Sequence, residues 1–461
     1  VHGLTADDRG SACEAALAGV DIEMASTAYA EHLAALLHDG DVPMDVLDAM
    51  VVNILTVKLR LGLFEQPYTD PEAFPAAGAA EHLEAAYEAA VASVVLLKNA
   101  HGMLPLQESH VSRLAVIGPL ADDAHEQLGT WIFDGDAALS VPVLQALRSQ
   151  VPGIDVAYAR GLPTTRSHDQ SGFAEAVELA ERSDVVLLVL GEEAILSGEA
   201  HCRADITLPG AQEALIDAVV ATGRPVVLVV MAGRALALET VVPKVHALLY
   251  AWHPGCMGGP AIADLLVGHV APSGKLPVTL PRVTGQIPIY YAHKRTGKPA
   301  TPETIVRIDE IPARATQLSI GNTSFHLDVH PSPLFPFGFG LSYTAFRYEH
   351  LTLSHDTMQL TDTLIVSVDL SNTGGRSATE TIQLYIGDPV ASTTRPVREL
   401  KAFQRVTLAA GEHRRVTFAL VADDLAFVGR TNQRRAEPGR FDLWVGGSSA
   451  HCLHHEFTLV A

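Results

Sequence analysis

The chain has 461 residues, too many for a single hydrophobic core, so two or three domains are expected. Nearly half of the residues are apolar, and the formal net charge of −21 is spread along the chain rather than gathered in a tail. An acidic surface repels phosphate backbones, which argues against a nucleic-acid partner, and no apolar run reaches the roughly 20 residues needed to cross a bilayer.

Residues 1–65 read as helices. Tyr29, Leu33, Leu36 and Leu37 recur at helical spacing, Gly40 ends that helix, and a further helix over 45–61 stops at Gly62. A short strand at 20–24 is the only strand this stretch offers, so it is expected to be the tail of a larger α/β unit. The chain opens on Val1 rather than Met, inside a helical pattern, so any targeting segment is expected ahead of it. Residues 66–80 are rich in Pro, Gly and Ala and read as a linker.

From Glu81 the pattern alternates. A helix over 82–91 leads into the apolar run 93–97. Buried strands follow at 114–117, 154–158, 185–190, 226–230 and 247–251. Helices are expected at 173–180, at 209–220 with Pro209 in the first position, and at 261–267. The continuous apolar run 185–190 suits a strand covered on both faces. The expectation over 81–290 is a three-layer α/β sandwich with a mostly parallel sheet. Residues 291–345 have weak periodicity and form a connection. From 346 to 461 only strands appear, with turns at Asn372-Thr373-Gly374-Gly375, Ala410-Gly411 and Pro438-Gly439. That spacing predicts an immunoglobulin- or fibronectin-like β-sandwich.

Common chemical motifs are absent. Gly118-Pro119-Leu120 after the first parallel strand is not a phosphate-binding turn, and 268–275 has the wrong spacing for a P-loop. No G-x-S-x-G elbow occurs. Cys13, Cys202, Cys256 and Cys452 lie too far apart for a zinc pattern and read as free thiols. His451, His454 and His455 read as alternation in a terminal strand rather than metal ligands. The stretch able to carry chemistry is 190–205, which leaves the carboxyl end of a buried parallel strand, where open α/β sheets place functional loops. It holds Glu192, Glu193 and Glu199. A buried, protonated Glu on such a loop could donate to a leaving oxygen, but spacing alone does not choose among the three, and all could be solvated charges.

Several longer motifs resemble glycoside hydrolase family 3. They are Val94-Val95-Leu96-Leu97-Lys98-Asn99 with Leu104-Pro105-Leu106, Leu114-Ala115-Val116-Ile117-Gly118-Pro119, and Ser197-Gly198-Glu199-Ala200 with Arg203 and Gln212. Pro272-Ser273-Gly274-Lys275-Leu276-Pro277 and Phe335-Pro336-Phe337-Gly338-Phe339-Gly340 continue the series, and Glu399-Leu400-Lys401 fits the family's fibronectin type III-like domain. The resemblance covers the whole chain and is strongest to periplasmic β-glucosidases of Gram-negative bacteria. It implies a remnant of a (β/α)₈ barrel, then the α/β sandwich, then the fibronectin type III-like domain.

The resemblance implies a retaining hydrolysis of terminal β-glucosyl units. Glu199 matches the family's acid/base, Arg203 its loop arginine and Trp131 an aromatic near the cleft mouth, while Met24 falls near the glucose pocket or in the core. The loop departs from the commoner Glu-Gly-x-Asp-Arg form, reading Glu199-Ala200-His201-Cys202-Arg203. The nucleophilic Asp would lie ahead of His2-Gly3, outside the chain. No metal or organic cofactor is implied, the partner is a small carbohydrate, and the intact protein would be periplasmic or secreted. The competing expectations are a non-catalytic fragment, a carbohydrate-binding or structural module, and a β-xylosidase or N-acetyl-glucosaminidase.

Overall fold

The computed structural model describes residues 3–461 except Glu108 and Asp134; Val1 and His2, ahead of which the nucleophile is expected, lie outside the described residues. The chain divides into two compact units, Val1–Ala79 and Ala80–Ala461.

The first unit holds α1 (Asp8–Leu17), α2 (Ala28–Asp39) and α3 (Met44–Arg60). Asp7 caps α1 by accepting from the Gly10 N–H, and Gly40 ends α2 in a left-handed conformation, as the sequence suggested. Its core is small: Ala12, Ala16, Leu36, Val42 and Met50. The strand expected at 20–24 does not form. No other strand lies among the described residues of this unit, so nothing there could pair with it, and its apolar side chains stay in solvent. Met24 therefore ends no strand and is not packed in the core; it is 89% exposed.

In the second unit, α4 (Ala80–Ser93) leads to β1 (Val95–Asn99), then β2 (Arg113–Ile117), α5 (Val143–Gln150), β3 (Asp155–Ala159), α6 (Phe173–Glu181), β4 (Val185–Gly191), α7 (Gln212–Val220), β5 (Val226–Met231), β6 (Ala247–Tyr250) and α8 (Gly258–Val267). The sheet order is β1-β6-β5-β4-β2-β3, with β1 antiparallel to β6 and every other pairing parallel. Alternation sorts the side chains between two layers. Val186, Leu188 and Leu190 of β4 pack with Leu215, Ile216 and Val219 of α7. Val185, Leu187 and Val189 pack with α5 and α8 on the other face. This two-sided burial is why β4 reads as an unbroken apolar run. α5 is not among the expected helices, because at eight residues it is too short to show a clear period. α7 starts later than the expected 209, because Gly210 takes φ +64°, which a right-handed helix cannot include.

After a connection built of turns and short 3₁₀ segments come β7 (Phe346–Leu353), β8 (Thr357–Gln359), β9 (Thr363–Asn372), β10 (Ala378–Gly387), β11 (Glu399–Leu408), β12 (His413–Val421), β13 (Phe427–Val428), β14 (Arg434–Arg435), β15 (Gly439–Gly446) and β16 (Cys452–Val460). Two sheets, β11-β10-β15-β16-β8 and β12-β9-β7, face each other over a common core. In β9 every second residue, Leu364, Val366, Val368 and Leu370, points into that core.

Candidate active-site loop

The carboxyl ends of β2, β4, β5 and β6, adjacent parallel strands, carry the segments that form the site. The chain leaves β4 at Gly191, where an added Cβ would stand 1.8 Å from the Met231 carbonyl oxygen, so only glycine fits. The buried Gln212 side chain closes this end: its amide donates to the Gly191 and Thr165 carbonyls, and its oxygen accepts from the Gly191 N–H. These bonds satisfy backbone groups that the sheet no longer serves.

The three glutamates have different surroundings. Glu192 is 1% exposed. One of its oxygens pairs with Arg203, and the other accepts from Arg234 Nε at 2.9 Å and from the Ser197 hydroxyl at 3.2 Å. Glu193 accepts from Arg166 Nε at 2.7 Å and from the Thr165 hydroxyl at 2.8 Å. Both are committed to holding the loop. Glu199 is exposed, on a turn whose next residue, Ala200, takes φ +62°. Among the described residues nothing hydrogen-bonds its carboxyl group.

Two arginines staple the neck of this turn. Arg203 returns the chain to Glu192. Arg234, just past β5, bonds Glu192 and also donates to the carbonyls of Leu196 and His201, one on each side of Glu199. His201 Nδ1 contacts the Ile195 carbonyl at 2.5 Å, a further tie across the neck. The apex is thus presented on a braced support while its carboxyl group stays unengaged.

The segment after β2 packs alongside. Glu126 accepts from the Ala194 N–H at 2.5 Å, with burial pushing its carboxyl up, and the Thr130 hydroxyl donates to the Ala194 carbonyl. Trp131 follows directly, 61% exposed, its ring 6.5 Å from that of Phe133. Beneath lies His253, whose ring covers Gly129 and whose Nε2 lies near Gly233. Burial holds this imidazole below its ordinary value of 6.5, against the opposing charge of Glu192.

Glu199, Arg203 and Trp131 therefore share one edge of the sheet. Met24 belongs to the first unit. Arg234 and His253 did not stand out in the sequence, although each follows a buried parallel strand, which was the available signal. A second charged cluster, Asp442, His454 and Glu456, could offer metal ligands. Its carboxylates instead pair with Arg295 at 3.7 Å and Arg440 at 3.4 Å.

A family model described as the glycosyl hydrolase family 3 C-terminal domain matches residues 94–343, and a fibronectin type III-like domain matches 380–449. The chain belongs to glycosyl hydrolase family 3. Relatives include a periplasmic β-glucosidase of Salmonella typhimurium, 39% identical, with 100% of this chain and 61% of that protein covered. A β-xylosidase of Formosa agariphila is 36% identical, with 88% of this chain and 54% of that protein covered. Among solved structures, the β-glucosidase from Listeria innocua in complex with glucose has a TM-score of 0.89 at 34% identity, covering 100% of this chain and 61% of that one. The chain thus spans less than two thirds of the length of these relatives. Among the described residues no helix is long and apolar enough to cross a membrane.

Proposed function

We propose that the protein carrying this chain hydrolyses terminal β-glucosides by a retaining double displacement, with Glu199 as the acid/base. The observation that supports this is the division of labour among the glutamates: Glu192 and Glu193 have their oxygens engaged, while Glu199 sits free at the apex of a braced loop. In this reading Glu199 protonates the departing oxygen, then takes a proton from water in the second step. The nucleophile is a carboxylate outside these residues. Arg203 acts by fixing the loop through Glu192, and Trp131 offers an aromatic face to the leaving group. Met24 keeps only the role that the family resemblance implies, a proposed contact to the sugar. The reaction uses carboxyl groups alone and calls on no cofactor. The name of the Salmonella relative supports a periplasmic or secreted location.

The test is Glu199→Gln in the full-length gene product. With a poor leaving group such as a second glucose, kcat/KM should fall by about 10²–10⁴. With a dinitrophenyl leaving group, which departs without a proton, the first step should be nearly spared. Undiminished hydrolysis of the disaccharide would remove Glu199 from the mechanism. The β-xylosidase relative supports a second specificity, and aryl-xyloside against aryl-glucoside rates separate the two.

A further inference from the structure

A cleft away from the loop lies where the connecting segment meets the β-sandwich. Its volume is about 290 Å³, at the small end for ligand sites and suited to a single ring. Tyr290, Pro331, Pro333 and Pro336 line it with flat apolar faces, and Thr279 and Arg398 add polar groups. Tyr290 is 53% exposed, so the residue is open to a ligand.

The polar groups are held in place with bonding capacity to spare. Arg398 is fixed by donating to the Ser449 carbonyl and by lying 4.4 Å over the Trp444 ring. Among the described residues its remaining N–H groups meet no acceptor. Thr279 is 9% exposed, and its hydroxyl has no hydrogen-bond partner, a costly arrangement for a buried polar atom. The wall behind is rigid: Tyr291 stacks on Phe337 with centroids 4.2 Å apart, and its hydroxyl accepts from the Leu400 N–H.

Flat apolar faces combined with spare donors at the edges match one ligand shape, a ring with apolar C–H faces and an equatorial rim of hydroxyls. An aromatic hydrocarbon would leave Thr279 and Arg398 unmet. A larger cavity of this unit, about 510 Å³ over Lys275 and Glu380, differs in this respect. There the ammonium and carboxylate already satisfy each other and Tyr348. We propose that the Tyr290 cleft is an accessory binding site for a pyranose ring, separate from the Glu199 loop.

The experiment is calorimetry on the full-length protein with a thio-linked β-glucobiose, which resists hydrolysis. The expected result is two equivalents bound per chain. Tyr290→Ala should weaken one of them by about tenfold or more, Tyr290→Phe should preserve it because the face remains, and Thr279→Val should weaken it without loss of stability. Hydrolysis of an aryl-glucoside should be unchanged in all three. A single equivalent, or two unaltered by Tyr290→Ala, would overturn the proposal. The outcome is independent of the catalytic assignment: if Glu199→Gln left hydrolysis intact, the second equivalent would still be counted.

Discussion

Arg234→Met tests whether the apex is braced as described. The substitution keeps an aliphatic stem but removes the bond to Glu192 Oε2 and the donations to Leu196 and His201. The Glu192 side chain is 0% exposed and Arg234 is 20% exposed, so water replaces little of the interaction. Losing every partner of a buried charge costs about 3–5 kcal/mol, but Arg203 remains on the other oxygen. The Leu196 and His201 carbonyls lie on the solvent-facing turn and regain water, so the one charge-assisted bond to buried Glu192, about 2 kcal/mol, sets the scale. That corresponds to an increase of about thirtyfold in the loop-opening equilibrium, with little change in global stability because the opening is local. Hydrogen exchange of the amides over 192–203 in the full-length protein measures it. Arg234→Lys should fall between the two, since an ammonium cannot reproduce the planar fork. If exchange in the loop changed by less than roughly threefold, the bracing would be a property of the static picture only.

Other expectations concern charge and pH. Lys275→Met should destabilise the fold by about 3–5 kcal/mol, because the Glu380 charge would be left buried without its ionic partner at 3.0 Å, with only the Tyr348 hydroxyl still donating to it. Burial raises the Glu380 carboxyl, so the folded variant takes up a proton before the unfolded chain does. The deficit should therefore shrink as pH falls, and Tm measured at neutral and at acidic pH reads this directly. His253 has the opposite sign. Its folded value lies below 6.5, so the unfolded chain binds the proton first and stability falls as pH drops below 6.5. His253→Phe should flatten that part of the Tm profile, provided that Glu192 and Glu126, the nearby carboxylates, are unchanged; an identical slope would contradict the burial argument.

Much of the architecture was legible because it depends on local periodicity. β4, β5 and β6 are apolar on both faces, and β9 alternates, so the change from a covered parallel sheet to a two-sheet sandwich could be read from side-chain order alone. The strand expected at 20–24 failed for the complementary reason. Strand formation needs a neighbour to bond, and periodicity carries no information about whether one is present. The start of α7 failed on a single left-handed glycine, Gly210.

At the site, the sequence located the loop and supplied three glutamates of equal standing. Their separate fates were decided by residues far along the chain: Arg166 holds Glu193, and Arg234, 42 positions from Glu192, holds that carboxylate. Charge and acidity belong to composition and order, and so were determined by the sequence itself. Which carboxyl group is left free depends on which cations the parallel strands bring to one edge, and only the tertiary structure places them there.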